Sequence, residues 1–129
     1  MCNNNTIKVA RVKNYVSIPE NDQDAHLEAL VHQGPIAVGV YASNWDTYIQ
    51  IVGYGHDDNL NADYCIVLNS WSPDWGENGY IRLLRTEKAE CGWNVDAHDG
   101  SACDGDPDTD WACGMCGILY GSAYPVMQD

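Results

Sequence analysis

The stretch Asp63-Tyr64-Cys65-Ile66-Val67-Leu68-Asn69-Ser70-Trp71-Ser72-Pro73-Asp74-Trp75-Gly76-Glu77-Asn78-Gly79-Tyr80 joins two apolar runs across a turn. Tyr64 to Leu68 is short, apolar and ends in a polar Asn. A segment rich in Trp, Pro, Asp and Gly follows, and then a second apolar run, Ile81 to Leu84. Runs of this length bounded by turn chemistry suit strands better than helices. The stretch therefore predicts a strand, a wide turn and a second strand. Residues 64–69 should pair antiparallel with 79–85, and the 70–78 turn should carry both Trp side chains onto one patch.

Around this hairpin the chain is short, 129 residues, enough for one domain with a single core. Apolar residues make up 45% of it, and no run of 18 apolar residues that could cross a membrane as a helix occurs. Six Lys and Arg against nineteen Asp and Glu leave a formal charge of −13. That charge repels phosphate backbones and anionic lipid, so neither nucleic acid nor a membrane is an expected partner. Six cysteines, four of them between Cys91 and Cys116, suit an oxidising compartment and a disulfide-stapled loop. No signal peptide is visible after Met1, which implies a longer precursor.

Taken in order, Val9 to Ile18 reads as one strand. Pro19-Glu20-Asn21-Asp22 opens a helix, with Asn21 or Asp22 as its cap and Leu27, Leu30 and Val31 along one face. His26 and His32 on this helix read as surface or packing residues. Gly34-Pro35 stops it. Pro35 to Ala42 reads as a strand buried on both faces, Ser43 to Asp46 as a loop, Ile49 to Gly55 as a strand, and His56 to Asn59 as its polar turn. Residues 86–110 hold eight acids and read as an inserted loop, after which Ile118 to Val126 returns to strand-like sequence. One helix followed by antiparallel strands predicts an α+β domain with a closed or strongly curled sheet.

The cysteines at 91, 103, 113 and 116 admit two chemistries. With His98 they could hold zinc, since Cys113-Gly-Met-Cys116 has knuckle spacing. The spacing of the others is poor for a second knuckle. At least one bond among the four is expected, with Cys113–Cys116 the least favoured pairing and Cys65 a buried, reduced thiol. Asp104, Asp106, Asp108 and Asp110 alternate like a calcium loop, but Thr109 and Met115 stand where such a loop needs Gly and Glu. The run reads as a solvated acidic loop, and no metal or cofactor is assigned.

Asn69-Ser70-Trp71 followed by Trp75-Gly76-Glu77-Asn78-Gly79-Tyr80 resembles the motif around the catalytic asparagine of papain-family (cathepsin-like) cysteine peptidases. Further pieces occur in that family's order: Gln33-Gly34-Pro35, the strand Ala37 to Tyr41, Val52-Gly53-Tyr54-Gly55, and Cys116-Gly117 through Tyr124-Pro125. The resemblance implies that residues 1–129 are a single partial domain, the C-terminal, antiparallel and barrel-like half of the papain-like fold. It would carry one main helix and an acidic Cys-rich insertion at 86–116. It implies a peptide or protein substrate, a partnering N-terminal half, and a lysosome- or vacuole-like or extracellular setting for the intact precursor.

Such peptidases attack with a Cys thiolate, pass its proton to a His, and orient that His with an Asn. By the resemblance Asn69 is the orienting Asn, Trp71 and Trp75 shield and shape the site, and Gly39 and Gly121 line a roomy, neutral substrate pocket. Cys116 matches a family half-cystine. The nucleophile's own motif is absent, and Cys2 resembles a half-cystine whose partner lies outside this chain. The segment that bears the family's His is absent as well. Trp45-Asp46-Thr47-Tyr48 runs directly into Ile49, and an ungapped reading puts Thr47 at the His position. A genuine deletion, a faulty gene model and an omitted segment remain open. The chain as it stands is expected to be inactive, either as part of a cysteine endopeptidase or as a catalytically dead relative that binds or serves as a structural subunit.

Overall fold

A computed structural model describes residues 10–42, 45–97, 105 and 107–128. Six strands form one antiparallel sheet: β1 (Val12–Ser17), β2 (Ile36–Ala42), β3 (Trp45–Asp57), β4 (Ala62–Leu68), β5 (Tyr80–Arg85) and, late in the chain, Ser122–Met127. A single helix, α1 (Gln23–Gln33), follows β1. Two short strands, β6 (Cys91–Asn94) and β7 (Asp110–Cys113), make a separate ribbon, so Ser122–Met127 is β8. The order in the main sheet is β1-β8-β2-β3-β4-β5. Among the described residues β1 and β5 are its edges, so the sheet is not closed by a ladder between them.

The predicted hairpin is present. Asp63 to Leu68 pairs antiparallel with Arg85 to Tyr80 in unbroken register. Alternation places Val67 and Leu83 inward, with Cys65 and Ile81 packed against the same core. Ile36 and Val38 of β2 and Val67 of β4 are fully buried. Each such side chain contributes about 1.5–3 kcal/mol through apolar burial.

Four expectations about strands and loops need correction. β2 is buried on one face only: Ile36, Val38 and Val40 point inward, while Ala37 is exposed and Gly39 half-buried. A continuous apolar run reads as two-sided, yet here α1 covers only one side. Trp45 and Asp46 belong to β3 rather than to a loop, because the β2–β3 ladder continues to Ala42 opposite Trp45. At its other end β3 runs on through His56 and Asp57, and the turn occupies residues 58–61. Residues 86–116 are likewise more than a loop. β6 and β7 pair in register and are stapled by a Cys91–Cys113 disulfide, S–S 1.99 Å.

On α1 the cap is Asp22, whose carboxylate accepts from the Ala25 amide at 3.0 Å. Asn21 instead ties the ribbon to the helix start, its side chain bonding the Trp111 carbonyl at 2.7 Å and the Cys113 amide at 2.8 Å. The buried face is His26, Ala29 and Leu30, whereas Val31 is 55% exposed. His26 replaces the expected aliphatic contact because both ring nitrogens are satisfied. Nδ1 lies 2.6 Å from the Asp22 carbonyl and must donate to it. Nε2 then accepts from the Ser122 hydroxyl of β8, also at 2.6 Å.

Burial of the His26 ring pushes its pKa below the ordinary 6.5, against the opposing pull of the Asp22 carbonyl and carboxylate. Between that depressed value and about 6.5 the unfolded chain takes up a proton that the folded chain refuses. This contribution is therefore complete above pH ~6.5 and is lost as pH falls toward the folded value. Urea unfolding across the mildly acidic range should show a shallower loss of stability in His26→Gln than in the parent, by up to about 1.4 kcal/mol per pH unit. Identical slopes would mean that the ring is not held neutral.

Candidate active site

Asn69 leaves β4 at the mouth of the wide turn, residues 69–79, that leads to β5. Its amide donates to the Gly79 carbonyl at 3.0 Å, extending the β4–β5 pairing by one step. Its side-chain Oδ1 accepts from the Ser70 amide at 2.7 Å. Gly76, Asn78 and Gly79 all take left-handed conformations, with φ of 58°, 57° and 89°. A Cβ on Gly76 would collide with the Tyr80 carbonyl oxygen, so a side chain there is opposed by space as well as by φ. Backbone bonds from Trp75 to Ser72 (3.1 Å), from Gly79 to Trp75 and from Glu77 to Tyr80 (2.7 Å each) lace the turn.

The turn brings Trp71 and Trp75 together edge to face, with ring centroids 5.2 Å apart and planes at 78°. Trp71 remains 54% exposed. Glu77 is gripped from β5 by Arg82, whose Nη2 and Nε lie 2.7 and 3.0 Å from its two carboxylate oxygens. Arg82 also reaches Asp57 at 3.4 Å and sits over the Tyr64 ring at 5.3 Å.

Gly39 and Gly121 meet elsewhere on the sheet. The Gly39 amide donates to the Gly121 carbonyl at 2.8 Å, and a Cβ on Gly121 would meet open space. Gly39 is paired with Tyr48 on β3, and Gln50, two residues on, is paired with Leu68, just before Asn69. Asn69 and the glycine pair thus lie toward the same end of the sheet with β3 between them, about 10 Å apart by strand spacing. Thr47 is held in the ladder opposite Val40.

Among the described residues no histidine joins Asn69. His26 is committed to Asp22 and Ser122, and His32 is exposed in the last turn of α1. His56 bonds Asp63 at 2.7 Å, six residues along β4 from Asn69 and about 20 Å away at strand rise. That bond draws the Asp63 carboxyl below its usual range. Cys2, His98, Cys103, Asp104 and Asp106 lie outside the described residues.

Of the cysteines expected to form at least one disulfide, Cys91 and Cys113 are bonded to each other, and Cys116 is a free, exposed thiol. Asp110 accepts the Tyr120 hydroxyl at 2.8 Å. Cys65 is free and partly buried, and burial pushes its thiol pKa up. Sequence reasoning missed the His26–Ser122 bond and the Arg82 clamp. The spacing of His26, Ala29 and Leu30 on one helical face was the signal for the first; nothing local marks the second.

A family model described as papain family cysteine protease matches residues 42–100. Cysteine protease 1 of Oryza sativa subsp. japonica is 33% identical over 139 aligned positions, covering 94% of this chain and 24% of the relative. Cathepsin S of Mus musculus is 32% identical over 108, covering 69% and 31%. The bromelain protease of Ananas comosus, solved in complex with the E64 inhibitor, superposes with a TM-score of 0.66 at 27% identity, covering 95% of this chain and 54% of that one. The chain thus spans between 24% and 31% of the length of these two curated relatives.

The geometry of the turn gives a direct test. Gly76→Ala should cost about 1–3 kcal/mol in urea unfolding, because its φ and the facing carbonyl both oppose a side chain. It should also weaken the near-UV circular dichroism of the Trp71–Trp75 pair. Gly121→Ala, with open space around it, should stay within about 0.5 kcal/mol of the parent.

Proposed function

Since this chain belongs to the papain family of cysteine proteases, we propose that it supplies the Asn-bearing sheet half of such an enzyme and does not hydrolyse peptides by itself. One observation carries this reading. Asn69 stands on a laced turn with the Trp71–Trp75 pair, while β2 and β3 stay paired down to Ala42 and Trp45. Both features support this reading: the turn would supply half of an imidazole-orienting site, and β2 and β3 are paired in register where a His-bearing segment would stand.

In a complete site a thiolate adds to the peptide carbonyl and the amine leaves with a proton returned by the imidazolium. Water then cleaves the acyl-enzyme. Asn69 would hold the ring. Its Oδ1 already accepts one bond from Ser70 and, as a carbonyl oxygen, keeps a second lone pair for an imidazole N–H. Trp71 and Trp75 would keep water from that bond, where a low dielectric strengthens it. Gly39 and Gly121, without side chains, would leave room for a substrate residue. The partners of this reading are a peptide or protein substrate and an N-terminal half carrying the thiolate, and its setting is lysosome- or vacuole-like or extracellular. The chemistry needs no cofactor.

The same β2–β3 ladder fits a second reading equally: a catalytically dead relative that binds or serves as a structural subunit. Transcript reads that pass cleanly through the codons of Tyr48 and Ile49, and upstream of Met1, would support it. A skipped His-bearing exon would support the first reading.

The purified chain should hydrolyse no fluorogenic peptide, and an electrophilic peptide probe should label Cys65 and Cys116 no faster than a simple alkylating agent does. Hydrolysis that Asn69→Ala abolishes would overturn the assignment of inactivity.

A further inference from the structure

The β6–β7 ribbon carries its largest side chains in water. Trp93 of β6 stands directly opposite Trp111 of β7, the rings edge to face with centroids 5.2 Å apart and planes at 64°. Trp93 is nevertheless 65% exposed and Trp111 45%, and Val95, two residues on, is 67% exposed. A cross-strand aromatic pair helps to hold two strands together. Here the Cys91–Cys113 disulfide, two residues away on each strand, already fastens them, and Asn21 ties β7 to the start of α1. Neighbouring indoles left open on a ribbon so fastened mark a contact surface.

An open recess of about 400 Å³ adjoins Trp93. Glu90 and the free thiol of Cys116 line it too, and Gly92 and Gly117 present backbone without side chains. None of Asn69, Trp71, Trp75, Gly39 and Gly121 borders it, so it is separate from the candidate active site.

Charge selects the occupant. Residues 86–116 hold eight acids and one base, Lys88, in a chain of formal charge −13. Such a field repels anions and draws cations in. Indole faces attract cations, and a guanidinium, planar and weakly hydrated, stacks on them better than an ammonium. Glu90 offers it a carboxylate within the same recess. We propose that the ribbon docks an arginine-bearing basic segment of a partner protein, one guanidinium lying over Trp93 and paired with Glu90. The chain has a basic stretch of its own, with Lys8, Arg11 and Lys13 and no acid before Glu20. Two copies that each carry −13 repel one another, however, so a cationic partner is favoured over a second copy.

The probe is the acetylated and amidated peptide Gly-Arg-Gly-Arg-Gly, with citrulline in place of arginine as its neutral counterpart. At about 50 mM salt the arginine peptide should bind saturably, about tenfold tighter than the citrulline peptide. About 0.5 M salt should weaken it several-fold. Trp93→Leu keeps apolar bulk but removes the aromatic face, and should weaken the arginine peptide about tenfold. Glu90→Gln should weaken it several-fold. Bound peptide should also slow alkylation of Cys116 by iodoacetamide several-fold and leave Cys65, packed against the main core, unaffected. Mass spectrometry reads both thiols. Should Trp93→Leu fail to fold, Glu90→Gln and the protection of Cys116 in the parent still decide. No saturable binding at millimolar peptide, equal affinity for the two peptides, indifference to Glu90→Gln, or an unprotected Cys116 would each overturn the proposal. So would self-association of the chain that the arginine peptide competes away, since the occupant would then be a second copy.

Discussion

Three left-handed residues, Gly76, Asn78 and Gly79, shape the 69–79 connection through which the chain reverses between β4 and β5. Much of the candidate site depends on that reversal. It brings the Gly79 carbonyl to the Asn69 amide, so Asn69 is held as an extension of the sheet rather than as a loop residue. It also sets two indoles edge to face on one turn. Positive φ is cheap for glycine and tolerable for Asn, so this local composition and this local shape imply each other.

The β5 strand uses its two arginines differently because alternate residues face opposite sides. Arg82, on the outer face, is neutralised by a bidentate grip on Glu77 with help from Asp57. Exposed pairs of this kind contribute little to stability, about 0–1 kcal/mol, but two parallel bonds fix geometry. Arg85, on the inner face, has one carboxylate for its fork and leaves a buried N–H over. The same residue type thus anchors a turn on one side and leaves the core incompletely satisfied on the other.

How far these features could be read from sequence follows the range of the forces behind them. The 63–80 hairpin was legible because period, turn glycines and chain reversal are all local. The helix start was legible at Asp22 for the same reason. Its buried face was not, since His26 enters the core only through Ser122, 96 residues away. Burial of β2 was overestimated because a continuous apolar run does not reveal that α1 covers just one face. In the acidic insertion the expectation of a disulfide held and Cys65 stayed reduced, but the choice of Cys91 with Cys113 rests on a ribbon that composition did not suggest. On the turn, the meeting of Trp71 and Trp75 on one patch was legible from the motif. The Gly39–Gly121 bond follows from the place of β8 in the sheet, which lies beyond any local pattern.

That place also sets an order of events during synthesis. β8 is inserted between β1 and β2, so the middle of the sheet's first half is the last part to leave the ribosome. Until Ser122–Met127 emerges, β1 has no neighbour and β2 keeps one open edge. At about 5–20 residues per second, the stretch from Ser17 to Ser122 takes on the order of 5–20 seconds to translate. For that interval Val12, Tyr15 and Val16 belong to an unpaired strand, the kind of template that recruits other chains. Nascent copies spaced along one messenger would expose matching edges to one another, and chaperone cover of residues 12–17 would then matter more to yield than any single contact in the finished fold.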